Sequence, residues 1–128
     1  MYIAEQYKHE ILSAYSYAAE KYHTAYQTIV TAEFFDITPR YNLSNLKMLQ
    51  KDAERRANHI DDMNPYLYEE LERDPVFMKS FHNMQDMVRD EKAKFWARFD
   101  KYMKFHHLYD DRQEYWNRRE VMEDILEN

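Results

Sequence analysis

The amino-acid sequence predicts an all-α protein, an elongated antiparallel bundle or hairpin of two long helices with two or three shorter helices. Three observations support this class. The chain contains no glycine, apolar residues recur at helical spacing over two long segments, and each proline follows a residue that commonly caps helices. The 128 residues have the size of one domain and no linker divides them, so we expect a single all-α domain over residues 1–128.

The prolines mark where helices begin, because proline at the first helical position gives up an N–H that has no partner there. This arrangement occurs at Thr38-Pro39, Asn64-Pro65 and Asp74-Pro75. The sequence predicts helices over about residues 2–35, 43–62, 65–73, 75–108 and 111–127. We expect the last helix to begin at Asp110, with Gln113 completing a capping box.

The two longest predicted helices carry regular apolar rows. On the first, the row is Ile11, Tyr15, Ala18, Tyr22, Ala25 and Ile29, and on the fourth it is Phe77, Phe81, Met84, Val88, Phe95, Phe99, Tyr102 and His106. Such rows are typical of a bundle or coiled-coil face, and the alanines Ala18, Ala25 and Ala32 allow a neighbouring helix to approach closely. Helices of this length would run on the order of 50 Å, so we expect exposed apolar surface and a homodimer.

The missing residue types exclude several classes of chemistry. Without glycine the chain has no phosphate-binding P-loop, no dinucleotide-binding turn and no nucleophile elbow. Without cysteine it has no disulfide, no thiolate metal site and no thiol nucleophile. We therefore expect no catalytic activity and no cofactor.

Charge and hydropathy narrow the choice of partner. The formal net charge of −6 disfavours general binding to nucleic acid. No apolar stretch approaches the roughly 18 residues that a membrane-spanning helix needs. We expect a soluble, cytoplasmic protein that does not contact membranes.

Two pairs of carboxylate and histidine residues are alternative metal sites. Glu20 and His23 have the Glu-x-x-His spacing of di-iron bundles, but Glu20 points roughly 160° away from the apolar row. His106 and Asp110 lie at a predicted helix junction, where the histidine suits a helix C-terminus and the aspartate suits the next N-cap. Solvent exposure explains the first pair and helix capping explains the second, so we expect no bound metal.

A basic ridge on the fourth predicted helix is an alternative nucleic-acid surface. Lys94, Arg98 and Lys101 lie beside one another on a helix, and Trp96 is available to stack on a base. The same residues can form the solvent-exposed flank of a core helix. The negative net charge favours the second interpretation.

Two groups of residues suit a protein partner. Tyr115, Trp116, Arg118 and Arg119 are of the types that dominate binding hot spots, and an acidic surface is formed by Asp61, Asp62, Glu69, Glu70 and Glu72. The acidic group is a candidate for contacting a protein or for imitating nucleic acid. We therefore predict a non-enzymatic, macromolecule-binding protein, such as an adaptor, an assembly factor or an inhibitor, with a protein partner of unknown identity.

Overall fold

A computed structural model describes the backbone of residues 2–30 and 37–127, with side chains for residues 3–29 and 42–127. The described chain forms five helices and no strand: α1 (Tyr2–Val30), α2 (Ile37–Met63), α3 (Leu67–Glu72), α4 (Pro75–Phe105) and α5 (Arg112–Leu126). The predicted all-α class is confirmed. The predicted continuation of the first helix over 31–35 lies outside the described residues.

The second helix is longer than the sequence analysis predicts. α2 begins at Ile37 rather than near residue 43, so the described residues form three long helices rather than the predicted two. Pro39 falls within the first turn of α2, where backbone N–H groups have no intrahelical partner. The helix therefore tolerates the proline inside its first turn and begins before it.

The antiparallel hairpin is formed by α1 and α2. Near the start of α1, Glu10 accepts a hydrogen bond of 2.9 Å from the Arg56 guanidinium. Further along α1, Lys21 Nζ donates to Gln50 Oε1 over 2.9 Å. Because residue numbers rise along α1 as they fall along α2, the two helices run in opposite directions.

The two helices that the sequence analysis expected to form this hairpin, α1 and α4, are instead parallel. Three contacts show the direction: Lys8 with Asp74 at 2.6 Å, Tyr15 with Phe81 at 5.5 Å between ring centroids, and His23 with Glu91 at 3.3 Å. The longer α2 and the short α3 bring the chain back to the start of α1. α4 therefore begins there and follows α1 in the same direction.

The α5 helix packs antiparallel to α4 and closes one end of the bundle. The Tyr115 ring lies 5.8 Å from that of Phe99, and Lys92 forms an ion pair of 3.0 Å with Glu127. One core cluster joins α1, α2, α4 and α5 at this end and contains the buried residues Tyr22, Ala25, Ile29, Leu43, Phe95, Phe99, Met103, Met122 and Leu126.

A second core cluster lies at the opposite end, where α1 begins and α2 ends. Leu67 and Leu71 of α3 pack there against Ala4, Tyr7 and Phe77. The short α3 thus closes this end as α5 closes the other. The middle of the bundle is formed by the three long helices, α1, α2 and α4.

Of the residues predicted to cap a helix before proline, Asn64 and Asp74 have described side chains, and one of them caps a helix start. Asp74 is the N-cap of α4, as predicted, and its carboxylate accepts from the N–H groups of Val76 and Phe77 at 3.1 Å. The prediction for Asn64 is wrong, because its side chain donates to the carbonyl of Ile60 and so closes α2. Tyr66 stands at the N-cap of α3, without a side-chain hydrogen bond.

The N-cap of α5 is Asp111 rather than the predicted Asp110. The Asp111 carboxylate accepts from the N–H of Glu114 at 3.2 Å. The turn that ends α4 extends to Leu108, whose N–H is bonded to Met103, so the next helix begins later than the sequence suggests.

The end of α4 is a Schellman turn built without glycine. His107 has a φ of 59°, in the left-handed region that glycine usually fills. The N–H of Leu108 bonds to the carbonyl of Met103 at 2.8 Å, and the N–H of His107 bonds to that of Lys104 at 3.1 Å. Because a Cβ is unfavourable in this region, the turn is strained at His107.

Replacing His107 by glycine is therefore expected to stabilise the protein by about 0.5–1 kcal/mol, the relief of the strain less the greater freedom of unfolded glycine. Urea denaturation followed by circular dichroism measures the change. His106→Gly is the matched control, since His106 has a φ of −90° and gains nothing from glycine. A His107→Gly variant no more stable than the wild type would contradict the strain.

Candidate functional site

The middle of the bundle contains an open groove. α1 contacts α2 on one side and α4 on the other, which leaves a furrow between α2 and α4 with α1 as its floor. α5 covers one half of this furrow, and α3 closes its far end. The uncovered part, which we call the groove, has a volume of about 430 Å³.

Small residues of α1 form the floor of the groove. Ile11, Ala14 and Ala18 line it, and their spacing places them on one face of the helix. Ala14 and Ala18 have little side chain above the backbone, so the floor lies low between its walls. Both alanines are already largely buried, since Ala14 is 8% exposed and Ala18 is 6% exposed.

The wall formed by α4 is apolar. Phe77, Phe81 and Val88 line it, and Phe81 packs edge-on against Tyr15. The Tyr15 hydroxyl accepts a hydrogen bond of 3.3 Å from Gln85 Nε2. These contacts fix the aromatic rings along the α4 side of the groove.

The wall formed by α2 is polar, and the charge of the groove is negative. Gln50, Glu54 and Asn58 line this wall, and Glu72 of α3 lines the far end. Among the described residues that line the groove, Glu54 and Glu72 carry charge and none is lysine or arginine. Burial, and then the nearby charge of Asp61, raises the pKa of Tyr7 at the same end.

A buried lysine lies behind the α2 wall. Lys21 is only 3% exposed, and its Nζ donates to Gln50 Oε1. Gln50 Nε2 in turn donates to Glu54 Oε1 at 3.0 Å, so one amide links the lysine to the groove carboxylate. Burial lowers the pKa of Lys21 to about 8, although the charges of Glu127 and Glu54 act in the opposite direction.

The end of α5 is fixed beside this lysine. Tyr22 donates a hydrogen bond of 2.6 Å to Glu127 Oε1, which also pairs with Lys92. Burial opposes the ionisation of Glu127, yet the hydrogen bonds from Tyr22 and Lys92 hold its pKa below the usual value. These contacts determine where α5 stops covering the furrow.

The predicted acidic surface adjoins the groove. Glu72 lines it, and Asp61 lies half-buried near Tyr7 at the same end. The other members, Asp62, Glu69 and Glu70, are exposed on α2 and α3. The structure therefore places this predicted site at the α3 end of the groove.

The predicted binding residues of α5 are largely used inside the protein. Tyr115 donates to Asp100 at 2.5 Å, and Arg119 donates to the Tyr115 hydroxyl at 2.9 Å. The other contacts are Arg119 over the Trp96 ring at 4.2 Å and Arg118 with Glu114 at 2.7 Å. Trp116 remains half exposed, at 50%.

The alternative nucleic-acid surface is divided between two faces of α4. Lys94 lies 3.8 Å from Glu91, and Arg98 lies over the ring of Tyr26 on α1. Lys101 is exposed. Trp96 instead packs beneath Arg119 of α5, so the structure does not bring the tryptophan together with the ridge.

The alternative metal residues are also separate. Glu20 is exposed, and the His23 ring faces Glu91 rather than Glu20. His106 packs against Tyr102, with ring centroids 4.3 Å apart, whereas Asp110 is exposed in the following turn. Within the described residues, no three histidines or carboxylates cluster at a metal-binding distance.

The described helices also lack the apolar length that crossing a membrane requires. Comparison with protein-family models, with curated protein sequences and with solved structures finds no significant match to this chain. The geometry of the groove therefore carries the functional argument.

Lys21 supplies a test of the electrostatics behind the groove. Replacing it by methionine is expected to raise the free energy of unfolding at pH 7 by roughly 1–3 kcal/mol, because the ammonium loses its water without gaining an ion pair. The pKa of Lys21 is lower in the folded than in the unfolded protein. The penalty is therefore complete below pH 8 and declines as the pH rises from about 8 toward 10.5.

Chemical denaturation at pH 7, 8, 9 and 10 measures the difference between wild type and Lys21→Met. The difference should be largest at pH 7 and should shrink through the series. Lys101→Met, on the exposed side of α4, controls for the loss of one positive charge. A difference in the free energy of unfolding that does not change with pH would contradict the lowered pKa of Lys21.

Proposed function

We propose that this protein is a non-enzymatic binding module that holds one helix of a partner protein in the groove between α2 and α4. One observation carries the proposal: a helix fills half of the furrow and the other half is open. α5 lies in the covered half, where Met122 and Leu126 reach the core. The open half offers a similar apolar floor.

The length of the groove suits a helix that lies along it and inserts some of its side chains. From Tyr7 to Ala18 the floor extends about 16 Å, the length of about three helical turns. Helices that dock in grooves insert apolar side chains spaced three, four and seven residues apart. The alanines on the floor leave room for such side chains, and the aromatic rings of α4 supply an apolar wall.

The polar groups of the groove support binding rather than catalysis. Their hydrogen bonds join Gln50 to Glu54 and Gln85 to Tyr15. Neither pair combines an activated nucleophile with a base. These groups can orient a bound helix through its polar flank.

The proposal is tested with a synthetic amphipathic helix of about 14 residues, roughly four turns, stabilised by a side-chain lactam on its outer face. It carries a leucine stripe and glutamine flanks. Fluorescence anisotropy of the labelled peptide should show saturable binding. Val88→Asn should weaken this binding about five- to tenfold, since it removes an apolar contact on the α4 wall.

Met87→Asn is the matched control, because Met87 is 48% exposed, adjacent in sequence and outside the groove lining. Asn58→Trp provides an independent block, since it places a bulky ring on the opposite wall. Circular dichroism shows that each variant is folded. Absence of binding to the folded wild type, or equal weakening by Met87→Asn, would overturn the proposal.

A further inference from the structure

We infer that the partner helix is basic, with lysine or arginine along the polar flank of its apolar stripe. This inference rests on the proposed function of the groove and specifies the chemistry of its occupant. It follows from the sign and placement of the charges around the groove.

The carboxylates of the groove stand on two of its sides. Glu54 is exposed on the α2 wall, and Glu72 is exposed at the α3 end. No cation of the described chain forms an ion pair with either group. Both carboxylates are therefore placed to pair with charges that an occupant brings.

Several cations on the helices around the groove are already engaged within the protein. Lys8 pairs with both Glu5 and Asp74. In α2, Arg56 pairs with Glu10, and Lys47 donates to the backbone carbonyl of Asp124. Among the described residues that line the groove, the charged ones are the carboxylates Glu54 and Glu72.

The hydrogen bonds of Glu54 favour a cationic ligand. Gln50 occupies Glu54 Oε1 with one donated hydrogen bond, and an ionised carboxylate has further lone pairs that accept more donors. A guanidinium or ammonium group supplies such donors as charge-assisted hydrogen bonds. A glutamate on the occupant would instead face Glu54 with a like charge.

The surrounding surface strengthens this preference at the α3 end. Residues 61–74 carry six acidic side chains and one basic one. A field of one sign beside a binding groove draws in ligands of the opposite sign and raises their rate of association. Lys21 lies near the other end of the groove, so the basic side chains of the occupant fit best toward α3.

Three peptides with the same leucine stripe test the inference, with glutamine, arginine or glutamate on the flanks. At low salt the arginine peptide should bind about tenfold more tightly than the glutamine peptide, and the glutamate peptide should bind most weakly. In about 0.5 M NaCl the advantage should fall to about twofold, because salt screens exposed charges.

The double variant Glu54→Gln/Glu72→Gln should lose most of the preference for arginine while it still binds the glutamine peptide. Glu20→Gln/Glu120→Gln is the matched control, since it removes two exposed carboxylates outside the groove lining. This control should retain the preference.

The outcomes separate the inference from the proposed function. Equal binding of the glutamine and arginine peptides, or tighter binding of the glutamate peptide, overturns the basic partner and leaves the groove as a helix site. Failure of all three peptides to bind overturns the proposed function itself. Sedimentation of the protein alone provides the last test, because a dimer abolished by Val88→Asn would identify a second copy as the occupant.

Discussion

The structure depends on the angle between α2 and α4, the two long helices that pack against α1. Glu10 and Lys21 face α2, whereas Tyr15 and Tyr22 face α4, and helical geometry places these two directions roughly 120° apart around α1. Because these directions are so far apart, α2 and α4 both pack on α1 but not on each other. A furrow between α2 and α4 is therefore a consequence of the α1 sequence, and α5 covers one part of it.

Much of the fold could be predicted from periodicity and caps, but the direction of the helices could not. The apolar row of α1 identifies its inward face, and Asp74 before Pro75 identifies the start of α4. A row of apolar residues looks the same to a parallel and to an antiparallel neighbour. The direction was settled by the extra length of α2 and by the position of α3, both of which depend on helix ends.

The candidate site was harder to predict because interface and core use the same residue types. Tyr115 and Arg119 are of the residue types that form binding surfaces, yet they join α5 to α4 through Phe99 and Trp96. Ile11 and Phe81 are of the residue types that form cores, yet they line the groove. The difference lies in where α3 and α5 end, and the spacing of apolar residues contains no information about that. Of the acidic residues that composition singles out, Glu72 is the one that lines the groove.

The groove also explains why the core consists of two separate clusters. One cluster is closed by α5 and the other by α3, and the floor between them has no covering helix in the described chain. A helix bound in the groove would lie over this floor and connect the two clusters. Since such a ligand binds the folded state alone, it would also stabilise the fold by an amount that grows with its concentration relative to its Kd. Binding and folding are thus coupled through the same alanines and aromatic rings that line the groove. A partner helix that binds more tightly should therefore produce a larger rise in the Tm of this protein.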